Sequence, residues 1–248
     1  MPVRETEAII LRTYPLGEAD KIVSFLSRGG GRMRGVAKNA RRSVKRFGAS
    51  LERLSHVRLR YFEQESRDLV RVESCELLQS YFELQSDYAS GVASGYVAEV
   101  CEQMLPEHDA SDPFFRLVLL VMNEMRQGGQ IWRPLTYFDL WAVTLAGFLP
   151  PLELCSRCHS RIAAAEPAWF RMEAPGLYCR ACRSEGSWSV SGESLALART
   201  MLEKSLAAIP EEGWTKSRAQ DLRRLLGQQI EKHLERKLVT RPLLEELG

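Results

Sequence analysis

The chain has 248 residues, 45% of them hydrophobic and 27% charged, the composition of an ordinary globular protein with enough length for a real core. Its formal charge of +2 hides a strong asymmetry: residues 1–80 carry sixteen Lys/Arg against ten Asp/Glu, residues 81–153 three against ten, and residues 154–248 fifteen against twelve. The opening Met1-Pro2-Val3-Arg4-Glu5 lacks the apolar run of a secretory signal, and no stretch reaches the ~20 apolar residues of a membrane span, so a cytoplasmic protein is expected.

Five short runs rich in Val, Ile, Leu and aromatics come first: Thr6 to Arg12, Lys21 to Leu26, Met33 to Lys38, Leu54 to Phe62 and Leu69 to Leu77. Alternation such as Val57-Arg58-Leu59-Arg60-Tyr61 predicts half-buried strands, and Gly29-Gly30-Gly31 predicts a hairpin turn. Five strands in this length fit a small barrel, an OB-fold or an SH3-like one. From Gln79 the period changes. Tyr81, Leu84, Tyr88, Val92, Tyr96, Val100 and Met104 recur every three or four residues, as on one amphipathic helix. A second helix is predicted from Phe114 to about Arg126, with Asp112 as N-cap before Pro113 and Gly128-Gly129 as its stop; a third spans Pro134 to Leu145. Two more follow near Glu193–Ala208 and Lys216–Val239, the last with a stripe of Leu222, Leu225, Leu226, Ile230, Leu234 and Leu238.

Between the third and fourth helices stand two C-x-x-C pairs, Cys155/Cys158 and Cys179/Cys182. Two residues between cysteines let both thiolates of a tight turn face one ion, so the spacing predicts a tetrahedral Zn2+ site. A four-thiolate shell leaves no open position, which makes the expected role structural. Disulfides and a redox pair are the alternatives, the first disfavoured in a reducing compartment and the second lacking its βαβ context. His159 could also replace one cysteine. A zinc deaminase would need H-x-E ahead of the cysteines, whereas His233-Leu234-Glu235 follows them. Cys75 and Cys101 lie on apolar stretches and read as core.

Chemistry of another kind is concentrated between Arg28 and Arg46, where Arg28, Arg32, Arg34, Lys38, Arg41, Arg42, Lys45 and Arg46 occur without a single acid. On a barrel mouth these cations would neutralise phosphates, and the adjacent Phe47 could stack a base, a mode that is tolerant of sequence and sensitive to salt. A solvated loop or a patch for anionic membrane is the blander alternative. A weaker basic set, diluted by acids, comprises Arg218, Arg223, Arg224, Lys232, Arg236, Lys237 and Arg241. The chain has no G-K-[ST] phosphate loop, no G-x-S-x-G and no H-E-x-x-H, and its four histidines are scattered, so no enzyme is expected.

Four stretches together resemble the RecO family of bacterial DNA repair proteins. They are Glu7-Ala8-Ile9-Ile10-Leu11-Arg12 with Gly17-Glu18-Ala19-Asp20-Lys21-Ile22; Lys38-Asn39-Ala40-Arg41-Arg42 with Arg46-Phe47-Gly48; Phe138-Asp139-Leu140-Trp141 with Gly147-Phe148-Leu149-Pro150-Pro151-Leu152 leading into Cys155 and Cys158; and His233-Leu234-Glu235-Arg236-Lys237-Leu238. The resemblance implies an α+β, multi-domain chain. Residues 1–78 would form an OB-fold for single-stranded DNA, residues 79–152 and 187–248 a helical domain, and residues 153–186 an inserted four-cysteine zinc module. It implies a non-enzymatic mediator of homologous recombination that binds single- and double-stranded DNA. Such a protein would anneal strands coated with single-strand-binding protein and, with RecR in the RecF pathway, help load RecA at the nucleoid. RecR and the acidic tail of single-strand-binding protein are its expected partners. Two positions depart from the pattern: His159 stands where a knuckle usually has Gly, and Val239-Thr240 where a more basic pair is expected. A zinc-dependent nucleic-acid enzyme and a scaffold binding structured RNA are the competing readings.

Overall fold

The structure, a computed structural model, describes residues 3–43, 45–63, 69–163, 165–172 and 176–247. Two compact units emerge, residues 1–129 with 238–246, and residues 130–237 with 247–248. The sequence-based division at residue 78 follows the change from strand to helix period. Compactness instead groups the first two helices with the barrel.

In the first unit the five predicted strands are present: β1 (Val3–Leu16), β2 (Asp20–Ser27), β3 (Gly31–Ala37), β4 (His56–Phe62) and β5 (Val70–Gln79). They close into a barrel in the order β1-β2-β3-β5-β4, with β4 returning antiparallel to β1. The junction of β3 with β5 is parallel, from Gly35 opposite Val70 to Ala37 opposite Val72, which is the OB-fold arrangement. Gly35 permits this closure, since a Cβ there would stand 2.9 Å from the Val70 carbonyl oxygen. Alternate positions, among them Ala8, Ile10, Val23, Phe25, Val57, Leu59, Val70 and Val72, fill the interior.

A 3-10 turn at Phe82–Ser86 leads to helix α1 (Tyr88–Met104), whose N-cap Asp87 accepts from the Ser90 N–H at 2.8 Å. Tyr96, Val100 and Met104 of the predicted stripe are buried, but Tyr88, at the first turn, is 68% exposed. The N-cap of helix α2 (Asp112–Gly128) lies one residue earlier than predicted. Ser111 is the N-cap, so Asp112 is already helical, and Gly129 ends the helix at φ 59°.

The segment between α1 and α2 lies on the β2–β3 hairpin. His108 N–H donates to the Arg32 carbonyl (3.0 Å), Arg32 Nε donates to the Leu105 carbonyl (2.8 Å), and a Cβ on Gly31 would fall 2.2 Å from the Asp109 carbonyl oxygen. Gly31 also has φ 69°. Replacing Gly31 with Ala is therefore expected to cost roughly 2–4 kcal/mol, from overpacking and left-handed strain together, read as a lower denaturation midpoint. The unit is completed by α6 (Thr240–Glu246), whose leading N–H groups at Val239 and Thr240 both donate to Glu99 at 2.8 Å.

The second unit contains α3 (Trp132–Leu145), a two-stranded hairpin of β6 (Ala168–Phe170) and β7 (Trp188–Val190), α4 (Gly192–Glu203) and α5 (Gln220–His233). Both late helices are shorter than predicted. α4 gives way to a 3-10 turn at Leu206–Ala208, while α5 is bounded by left-handed Ala219 and Glu235. Leu222, Leu225, Leu226 and Ile230 are buried as the stripe requires; Leu238 is buried as well, but in the first unit.

Candidate nucleic-acid interface and metal centre

The loop from β3 to β4 is tied down at both ends. Asn39, at φ 57°, donates its N–H to Asp20 Oδ1 (2.7 Å), and the Arg41 N–H reaches the Ala19 carbonyl (3.0 Å). At the far end the Arg46 carbonyl accepts from the Cys75 N–H (3.1 Å), and Phe47 enters the barrel core with 2% of its surface exposed. The expectation that Phe47 stacks a base is thus corrected: its ring closes the barrel. Arg46 lies over that ring (4.8 Å) and donates to the Lys38 carbonyl, which fixes its place as well.

What the anchored loop leaves in solvent is Lys38, Arg41, Arg42 and Lys45. Arg42 has only a long contact of 3.9 Å to the highly exposed Glu18, and the other three have no ion-pair partner among the described residues. Lys21 joins them at a recess it lines with Ala40, Arg41, Gly48 and Ala49. Lys21 was read only as a strand residue; its pairing with Ala37 across the β2–β3 ladder is what brings it to the loop.

The three cations nearest the hairpin behave otherwise. Arg28 donates to Asp112 (2.6 Å) and Glu7 (3.2 Å), and the Asp112 carboxylate raises its pKa further. Arg32 and Arg34 share Glu107, at 3.1 and 2.9 Å. The eight sequence candidates therefore separate into four solvent-facing cations, three held by close ion pairs, and Arg46. The weaker C-terminal set is largely absorbed by packing: Arg218, Arg223 and Arg224 lie over Trp214, Trp132 and Trp188 at 4.8, 4.7 and 4.9 Å, and Lys237 pairs with Glu231.

In the second unit Cys155, Cys158, Cys179 and Cys182 converge, with all four Sγ atoms within 4.8 Å of one another and 3.8 Å between those of Cys158 and Cys179. Thiolates on a tetrahedral ion with bonds of about 2.3 Å stand about 3.8 Å apart, so the cluster could hold a metal ion. Backbone bonds set the knuckles. Cys155 N–H donates to the Ser160 carbonyl (3.0 Å), the Cys182 N–H to the Cys179 carbonyl (3.0 Å), and the Ser156 N–H to Leu177 (2.8 Å) across the pair. His159 occupies the left-handed position, at φ 58°, and lies outside the sulfur cluster; its N–H donates to the Cys155 carbonyl. Burial works against ionisation of Cys155, yet backbone groups of Cys158, Cys179 and Arg157 outweigh it and bring its thiol down to about 6. Hydrogen bonding with Cys158 pushes Cys182 up to about 12. Cys75, by contrast, is pushed up to about 11 by burial and is an inert core thiol, as read.

The family model "Recombination protein O N terminal" matches residues 1–81, and "Recombination protein O C terminal" matches residues 85–242. The chain belongs to the RecO family. It is 42% identical to the DNA repair protein RecO of Koribacter versatilis over 245 residues, 99% of each chain. To the RecO of a Nocardioides species it is 34% identical, over 82% of this chain and 84% of the relative. To that of Bifidobacterium adolescentis it is 29% identical, over 99% and 100%. Within this RecO chain no helix among the described residues is long and apolar enough to cross a membrane.

Proposed function

We propose that the protein acts in DNA repair and recombination by binding and annealing single-stranded DNA, without nucleotide hydrolysis. One observation carries this reading: Lys38, Arg41, Arg42 and Lys45 face solvent on a tethered loop of a closed OB-fold barrel, with the 3.9 Å contact of Arg42 to exposed Glu18 their one ion pair among the described residues. Two strands repel through their phosphates, and a cationic surface that neutralises both lowers that barrier without an active site. Contacts of this kind also serve duplex DNA. On this reading its partners are RecR, the acidic tail of single-strand-binding protein, and RecA indirectly, in the cytoplasm at the nucleoid.

Cys155, Cys158, Cys179 and Cys182 are read as the ligands of one structural Zn2+. Bound there, the ion would cross-link the two knuckles and offset the charge of four thiolates. The residues themselves contribute the preset geometry of the two turns.

The test is annealing of complementary oligonucleotides coated with single-strand-binding protein, followed by energy transfer at low and moderate salt without nucleotide. Fast annealing that slows as salt rises is the expected result. No acceleration by folded protein would overturn the reading and turn attention to structured RNA as the ligand.

A further inference from the structure

The cations of the β2–β3 hairpin are not spare. Arg28, at the turn, reaches Asp112 and Glu7, while Arg32 and Arg34, on β3, converge on one carboxylate, Glu107. Two anionic groups, Glu107 of the segment joining α1 to α2 and Asp112 at the start of α2, thereby sit on guanidinium groups in the way phosphates would. The placement is enforced by backbone. Arg32 and Glu107 form a parallel bridge, His108 stands at φ 60° with its N–H on the Arg32 carbonyl, and Gly31 makes room for Asp109. Arg32 is largely enclosed, 16% exposed, and also holds the Leu105 carbonyl, so it is a clamp. Arg28 and Arg34, at 45% and 43%, still face solvent.

We infer that Glu107 and Asp112 act as internal phosphate surrogates over a latent second phosphate-binding site formed by Arg28 and Arg34. Their carboxylates confine nucleic acid to the Lys38–Lys45 loop and keep its affinity below what the barrel's cations could deliver. The inference rests on the proposed nucleic-acid binding and adds a residue-level brake to it. A moderate grip has a physical use, because a mediator that anneals strands must also release the duplex.

The surrogate role predicts a gain on removing acids that depends on Arg28 and Arg34 being present. In Glu107→Gln with Asp112→Asn, oligodeoxythymidylate affinity, measured by fluorescence anisotropy, is expected to rise roughly fivefold. The dependence of log K on log salt should steepen by up to about 1.4, for two added single-strand phosphate contacts. Adding Arg34→Ala and Arg28→Ala should cancel the gain. Asp112→Asn alone, a change at an exposed helix start, gives a smaller rise and serves if the double variant is poorly folded by thermal melting. Folded variants that bind no tighter, with unchanged salt slope, overturn the inference. A parent protein that fails to bind the oligonucleotide at all would instead overturn the binding reading beneath it.

Discussion

Reversing charge at Arg41 and Arg42 to Glu is expected to weaken single-strand binding by roughly a hundredfold at moderate salt, and to flatten the salt dependence by about 1.4 or more. The magnitude follows from where the two side chains stand. Both are exposed, Arg41 lines the recess with Lys21, and only the distant Glu18 competes for Arg42. Each substitution removes a phosphate contact and installs a repulsion. Stability should change by less than about 0.5 kcal/mol, since neither side chain supports the core. Anisotropy titrations at several salt concentrations, beside a melting curve, read both quantities. Undiminished affinity in a folded double variant would sink the loop as the interface. The contrast is Phe47→Ala, which should cost about 3–5 kcal/mol of stability because its ring is core.

A comparably large effect is expected at the cysteine cluster. Cys158→Ser should abolish stoichiometric metal in freshly purified protein, lower the melting temperature by several degrees and open residues 153–186 to protease. Among the described residues little else holds this segment. Its strand β6 is three residues long and pairs with β7 just beyond it, and among its described residues the buried apolar side chains besides Cys155 are Ile162, Ala168, Phe170 and Leu177. Apparent binding of a structural Zn2+ runs to about 10–16 kcal/mol in small modules, far more than such a core supplies. Metal analysis and limited proteolysis decide the matter. Purified protein without metal, or a serine variant with full metal and an unshifted melt, would refute the structural-site reading.

Strand runs, turn glycines and cysteine spacing were legible in the sequence because each rests on local chemistry: alternation, left-handed backbone, or two thiolates in one turn. The barrel's parallel closure was not, since nothing local distinguishes Val70 beside Gly35 from another partner. The basic run was legible as a run but not as a site. Composition counts eight cations without an acid between Arg28 and Arg46, whereas the fold brings Glu7, Glu107 and Asp112 to three of them from elsewhere in the chain. Phe47 misled for the same reason, an aromatic beside arginines whose direction only the core decides. The late helix was overextended because the leucine period runs through Glu235, where the backbone turns left-handed and Leu238 joins a different core.

That last detail bears on how the molecule is made. The first unit is not finished by the first half of the chain, because α6 is its closing piece and Glu99 receives the N–H groups of Val239 and Thr240. During synthesis at about 5–20 residues per second, the barrel, α1 and α2 leave the ribosome and wait while residues 130–237 are still being added. The barrel unit is begun first and closed only after residues 130–237 of the second unit have been made.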